Sequence, residues 1–283
     1  MCALYLEFCK LAKSVNKTAM QMMSRDKLLK LMKKPEGLLD ETESSNAISY
    51  REFLKVSHDA LKKARREHGS DAEWFACEEL KQGWIKDHCP PIEYLGEGST
   101  RLAMTIDGGK CLKIASNEEG IEQNENEIQA FQLGAEFSCF PKLYAYDKSS
   151  MYSLVVDCCC EAKPEDFRRL YGTSCMLVVG TVQQLVDDGL EVTKTKDYFM
   201  KCIEDPELGE SDEYECFEER LAFLDKLIEK KDSEMPWTVM WDLAKFSVEH
   251  NDMMSLYDLE SEVNWGMTPR HGELCPVVID AGL

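Results

Sequence analysis

The chain has 283 residues, 44% of them hydrophobic and 30% charged, the balance of a globular protein rather than a disordered or fibrous one. Its net charge of −20 opposes nonspecific binding to nucleic acid, and no stretch approaches 18 apolar residues, so neither nucleic acid nor membrane is an expected partner. Thirteen cysteines without a CxxC pair, three of them consecutive at Cys158, Cys159 and Cys160, suit packed thiols in a reducing compartment better than disulfides or zinc.

The N-terminus "MCALYLEFCKLAK" is too charged for a signal peptide's apolar core, so a cytoplasmic location is expected. Residues 1–70 carry 14 Lys and Arg against 9 Asp and Glu, a basic head on an acidic body. Solvated helix faces explain this more simply than a docking surface.

Residues 1–91 read as a helical region. "RDKLLKLMKK" groups Leu28, Leu29, Leu31 and Met32, and "SYREFLKVSHDALKKARREHG" places Phe53, Leu54, Val56 and Leu61 near helical spacing. Ser49 is the expected N-cap, with Glu52 as capping-box partner, and Gly69 the expected stop. The prolines of "CPP" close the region.

From residue 92 the pattern turns to short strands with glycine turns. "IEYLGEGSTRLAMTID" and "KCLKIA" predict a hairpin, "NEEGIEQNENEIQAFQLGAEF" a helix around Ile121, Ile128, Phe131 and Leu133, and "KLYAYDK" and "MYSLVVDC" two more strands. The expectation for 92–160 is a small sheet packed by one helix. Residues 161–283 read as mainly helical, with Phe217, Leu221, Leu224 and Leu227 at helical spacing and a strand-like ending at "ELCPVVIDAGL".

Gly96, Gly98, Ser99 and Thr100 form a turn whose backbone N–H groups can cradle phosphate oxygens. Lys113 either faces solvent on an edge strand or passes beneath that turn and reaches the same phosphates; in the second case Glu125 or Glu127 holds it. Asp280, after the apolar "PVVI", stands where a carboxylate can hold a divalent metal. Asp258 and Asn264 supply a carboxylate base and a carboxamide metal ligand, which fits phosphoryl transfer. The five tryptophans, Trp74, Trp84, Trp237, Trp241 and Trp265, are expected as core or interface anchors, with Trp265 packing down the loop before it.

On these residues the chain resembles the protein kinase-like superfamily. "LGEGSTRLA" is similar to its glycine-rich loop, "CLKIA" to the strand carrying the ATP lysine, and "QNENEIQAF" to the helix bearing that lysine's glutamate. "YDLESEVNWG" resembles the catalytic loop, "VVIDAGL" the metal-binding segment, and "LVVDCCCEAKPEDF" a fifth strand entering a hinge. Small, divergent kinase-like proteins encoded by bacteriophages are the most similar overall, which would place the chain in a host cell's cytoplasm.

The resemblance covers about 92–165 and 239–283. It implies an α+β kinase-like fold: an antiparallel N-lobe sheet with one helix, a reduced helical C-lobe and an extra N-terminal helical region. It implies ATP and Mg²⁺ as cofactors. Gly96 and Gly98 would cover the phosphates, and Lys113 would contact them and pair with Glu127, Glu125 being the alternative. Asp258 would take the acceptor's proton, Asn264 and Asp280 would hold Mg²⁺, and the backbone from Asp157 to Cys159 would meet the adenine. A protein, of host or phage, is the expected substrate or partner. The alternatives are a pseudokinase acting as an interaction or virion-associated module, and an AMPylase on the same fold.

This chain departs from the family pattern at several points. Arg101 replaces the loop's third glycine, Asp258 and Asn264 are six apart instead of five, Leu256 and Tyr257 precede Asp258, and Ala281 follows Asp280. With Leu283 the last residue, an acceptor site is expected from 161–257 or from the N-terminal helices.

Overall fold

The computed structural model describes residues 50–87, 93–106, 109–205, 217–250 and 253–279. They fall into two compact units, 50–124 with 144–158 and 125–143 with 159–279. The expected helix at "RDKLLKLMKK", the Ser49 cap and the "CPP" boundary lie outside the described residues.

The first unit opens with a helical hairpin, α1 (Tyr50–His68) and α2 (Ala72–Asp87). Gly69 ends α1 with a φ of +61°, a left-handed conformation that glycine adopts without a Cβ penalty. Phe53, Leu54, Leu61, Ala64, Ala72, Ala76, Cys77 and Leu80 form the buried seam of the pair. Val56, expected on that seam, is exposed, because the buried face runs through Phe53, Ser57, Leu61 and Ala64 and leaves position 56 to one side. Trp74 is 51% exposed and is no core anchor; it meets Phe75 edge-on, and Phe75 stacks on His68.

The sheet follows: β1 (Glu93–Glu97), β2 (Arg101–Ile106), β3 (Lys110–Ala115), β4 (Leu143–Tyr146) and β5 (Ser153–Asp157), in the spatial order β1-β2-β3-β5-β4. β1-β2, β2-β3 and β3-β5 pair antiparallel. Helix α3 (Glu118–Leu133) lies in sequence between β3 and β4, as expected, and Asn117 Oδ1 caps it by accepting the Gly120 N–H at 2.9 Å. Leu102, Met104, Ile106, Leu112, Ile114 and Val155 join the hairpin seam in one core, so helices and sheet fold as one unit across residue 91.

A polar tie reinforces this core. The turn between β4 and β5 carries Asp147, which accepts from the Ser149 hydroxyl (2.6 Å), the Ser149 N–H (3.0 Å) and the Ser150 hydroxyl, and lies 2.9 Å from His58 Nδ1 on α1. Burial opposes ionisation of Asp147, but these hydrogen bonds outweigh it and hold the carboxyl below its ordinary value.

In the second unit α4 (Pro164–Tyr171), α5 (Cys175–Asp187), α6 (Val192–Glu204), α7 (Phe217–Lys230) and α8 (Met235–Glu249) form a helical layer. Tyr171, Phe223 and Trp237 make its aromatic centre, and the Tyr171 hydroxyl donates to the Pro236 carbonyl at 2.8 Å. A three-stranded sheet, β6 (Cys160–Glu161), β7 (Trp265–Arg270) and β8 (Glu273–Val278), packs on α8. The β7-β8 turn has His271 and Gly272 both at positive φ, which suits a two-residue hairpin. Burial pushes the thiols of Cys77 and Cys275 up to about 12 and raises Cys139 and Cys175 as well, so these cysteines pack rather than react. No described helix is long and apolar enough to cross a membrane.

Two outcomes test this packing. Leu61→Ala should cost about 2–5 kcal/mol and lower hydrogen-exchange protection in β2 and β3 together with α1, because they share one core. Asp147→Asn should lower the melting temperature at pH 7. The depressed folded value makes the Asp147 contribution complete above the ordinary carboxylate range and lost as pH falls through the folded value, so the deficit should shrink toward pH 2.5.

Candidate functional site

The glycine turn joins β1 to β2. Gly96 stands opposite Ala103 and Glu97 opposite Leu102, and the Gly98 N–H donates to the Arg101 carbonyl at 2.9 Å, closing the reversal. The tip is docked on the start of α3. Thr100 Oγ1 donates to Gln123 Oε1 (2.7 Å), the Ser116 N–H donates to the Thr100 carbonyl (2.7 Å), and Asn117 Nδ2 donates to the Ser99 carbonyl (3.1 Å). A Cβ at Gly120 would lie 2.1 Å from the Thr100 carbonyl oxygen, so only glycine admits this approach. On the other flank, the Lys81 ammonium of α2 binds Glu97. Ser99 stays exposed, while the Thr100 hydroxyl turns toward the helix.

Lys113 sits on β3, a central strand between β2 and β5, so the edge-strand reading of this lysine is overturned. Its register partners are Ala103 on β2 and Leu154 on β5, and the side chain is 1% exposed. Alternation sends Leu112 and Ile114 to the helical hairpin and Lys113 to the opposite face, with Arg101, Ala103, Thr105 and Cys111. Of its two candidate glutamates on α3, Glu127 is 3% exposed and Glu125 is exposed. Glu127 lies one turn beyond Gln123, the residue that holds Thr100, on the same helix face. Lys113 and Glu127 are both engaged in polar or electrostatic interactions.

β5 runs to Asp157, whose carboxylate accepts from the Tyr144 hydroxyl at 2.8 Å. The Cys158 N–H donates to the Gly109 carbonyl at 2.8 Å. The chain then passes into the second unit at Cys159, which is buried with Val277 and Ile279, and Cys160 pairs with Met267 on β7. The expected hinge therefore coincides with the change of unit.

In the second unit Asp258 is exposed on a 3₁₀ turn, Leu256–Glu260, whose Leu256 and Leu259 are buried. Three hydrogen bonds fix this loop. Asn264 Nδ2 donates to the Asp258 carbonyl, Trp265 Nε1 donates to the Leu259 carbonyl at 2.7 Å, and the Cys175 thiol donates to the same carbonyl at 3.3 Å. Trp265 is fully buried and packs edge-on against Phe167, as expected of the residue that holds the loop down. The Asn264 amide keeps its oxygen as a hard acceptor of the kind Mg²⁺ takes. The Ile279 N–H donates to the Asn264 carbonyl at 3.0 Å, so the last described residue of the segment after β8 lies beside Asn264. Asp280, the expected second metal ligand, lies outside the described residues.

The sequence reading passed over strand β7 and the role of Gly266. A Cβ on Gly266 would meet Cys159 Cβ and Ile279 Cγ2, each at 2.6 Å. The glycine after Asn264 and Trp265 was the available signal. Among the described residues no group of three or more His, Cys, Asp or Glu side chains forms a metal cluster.

Comparison with known proteins finds no matching family model, no similar curated protein and no matching solved structure. Gly266→Ala should cost about 1–3 kcal/mol through overpacking against Cys159 and Ile279, measured as a fall in the denaturant midpoint.

Proposed function

We propose that the chain is an ATP- and magnesium-dependent phosphotransferase on a kinase-like scaffold, passing the γ-phosphate to a hydroxyl acceptor on a protein. The observation that carries this reading is the Lys113 ammonium, buried on the third strand of a five-stranded sheet beside a glycine turn. Kinases place their phosphate-binding lysine on the third strand and cover the phosphates with the glycine-rich hairpin before it. The position of α3 between β3 and β4, the change of unit at Cys159, and the Asp258–Asn264 clasp ahead of a β-hairpin support the same reading.

In this reading the backbone at Gly96 and Gly98 binds phosphate oxygens, and Lys113, oriented by Glu127, contacts the α- and β-phosphates. The backbone around Asp157 and Cys159 meets the adenine. Asp258 accepts the acceptor hydroxyl's proton as the oxygen attacks the γ-phosphorus and the bond to the departing ADP breaks. Asn264 and Asp280 are the residues that would hold Mg²⁺, which supplies charge neutralisation on the phosphates.

A catalytically silent interaction module is the second reading. The docking of Ser99 and Thr100 on α3 favours it, because that contact orders the turn without a nucleotide.

Thermal melting with and without millimolar MgATP tests the site. A ligand at 100 times its Kd stabilises the folded state by about 2.7 kcal/mol, so wild type should melt higher with MgATP. Lys113→Met and Asp280→Asn should lose the rise. Asp258→Asn should keep it and lose label transfer from γ-labelled ATP. Transfer from α-labelled ATP instead would assign AMPylation, and a wild type indifferent to MgATP would sink the nucleotide reading.

A further inference from the structure

We propose that the exposed surface around Asp258 is a docking site for the chain's own basic segment 24–34, "SRDKLLKLMKK". The docking stands apart from the nucleotide reading above and does not require it.

The surface lies where α5 meets the 3₁₀ turn Leu256–Glu260. The Cys175 thiol, in the first turn of α5, donates to the Leu259 carbonyl at 3.3 Å and ties the two elements together. Cys175, Leu177, Val178, Leu256 and Leu259 are buried. Their neighbours Met176 and Tyr257 are not. Tyr257 is 70% exposed and Met176 54%, and no other large hydrophobic residue among the described ones is as open to water. A single exposed apolar side chain needs no explanation; the two most exposed ones, flanking one fixed seam, mark a contact surface.

Charge selects the occupant. From Met253 to Asn264 the chain carries Asp258, Glu260 and Glu262 and no Lys or Arg, and the first two turns of α5 carry no charged residue. Asp258 is exposed and Glu262 half-buried. Burial chiefly, then Glu262 and Glu260, push the Cys175 thiol up, which places both glutamates at the α5 side of the turn. An apolar surface with a carboxylate rim fits a segment that carries apolar and basic side chains together.

Residues 24–34 have that composition. Leu28, Leu29, Leu31 and Met32 are interleaved with five Lys and Arg, against the single carboxylate of Asp26. The segment belongs to the basic head that the sequence sets against its acidic body. Residues 35–49 join it to α1, a length of chain that spans up to about 50 Å when extended. A tethered segment also acts at an effective concentration of about millimolar, so a modest patch holds it where a free partner needs a larger interface.

Photo-crosslinking of the full chain, without nucleotide, tests this. With benzoylphenylalanine in place of Tyr257, irradiation should join position 257 to a peptide within 24–34, in a monomer whose yield is independent of protein concentration. Lys30→Glu combined with Lys33→Glu should cut that yield at least about twofold, as a weaker set of surface ion pairs requires, and Glu262→Lys should do the same. Crosslinks elsewhere in the chain, or none, overturn the proposal. Crosslinks to 24–34 in a dimer whose yield rises with concentration overturn it as well and assign the surface to a second copy. A yield indifferent to both charge reversals overturns the choice of this segment. If the position-257 variant does not fold, the same probe in place of Met176 decides by the same outcomes. Failure of the MgATP melting test leaves each of these results unchanged, so the two readings fall separately.

Discussion

Taking an ammonium out of water costs several kcal/mol unless the surroundings compensate it. Lys113 imposes that cost on the middle of the five-stranded sheet, with Arg101 two residues along the same face. The opposite face is mainly apolar. Leu102, Met104, Leu112 and Ile114 bury against α1 and α2 in one continuous core. A strand with a charge on one face keeps its register because a one-residue slip would drive that charge into the helices. The helical hairpin thus covers the apolar face of the sheet.

Two glycines set the close approaches on which the rest depends. Gly120 lets the first turn of α3 meet the Thr100 carbonyl, which settles the position of the turn tip. Gly266 lets the strand entering the second unit lie against β7 and Ile279. Both are places where a side chain of any size would separate backbones that hydrogen bonds need close together. The clasp of Asn264 on the Asp258 carbonyl and of Trp265 on the Leu259 carbonyl belongs to the same class of device. Side-chain donors satisfy carbonyls in a loop too irregular to satisfy its own, and the carboxylate of Asp258 stays in solvent.

The docked turn and two buried basic residues lie side by side on this sheet. A turn held by Thr100, Ser116 and Asn117 is ordered before any ligand arrives, which reduces the entropy lost on binding and also restricts access. Lys113 and Arg101 are buried on the face beside it.

Much was legible in the residue pattern. Alternation and glycine spacing located β1, β2, β3 and β5, and helical periodicity located α1, α3 and α7, because each of these signals is local. Lys113, Asp258 and Asn264 were singled out from order and spacing along the chain, and Glu127 was preferred to Glu125 on the kinase-like resemblance. Their burial was not legible in this way. Whether Lys113 sat at an edge or the centre depended on which strands flank β3, and that follows from a crossover through α3 that no local pattern encodes. That Glu127 is buried and Glu125 exposed depended on which side of α3 turns inward. The inward turn of Arg101, the exposure of Trp74 and the space Gly266 preserves are likewise properties of distant segments brought together. Sequence determined the elements and the chemical groups. Tertiary structure decided which of those groups left water, because burial is set by neighbours remote in the chain.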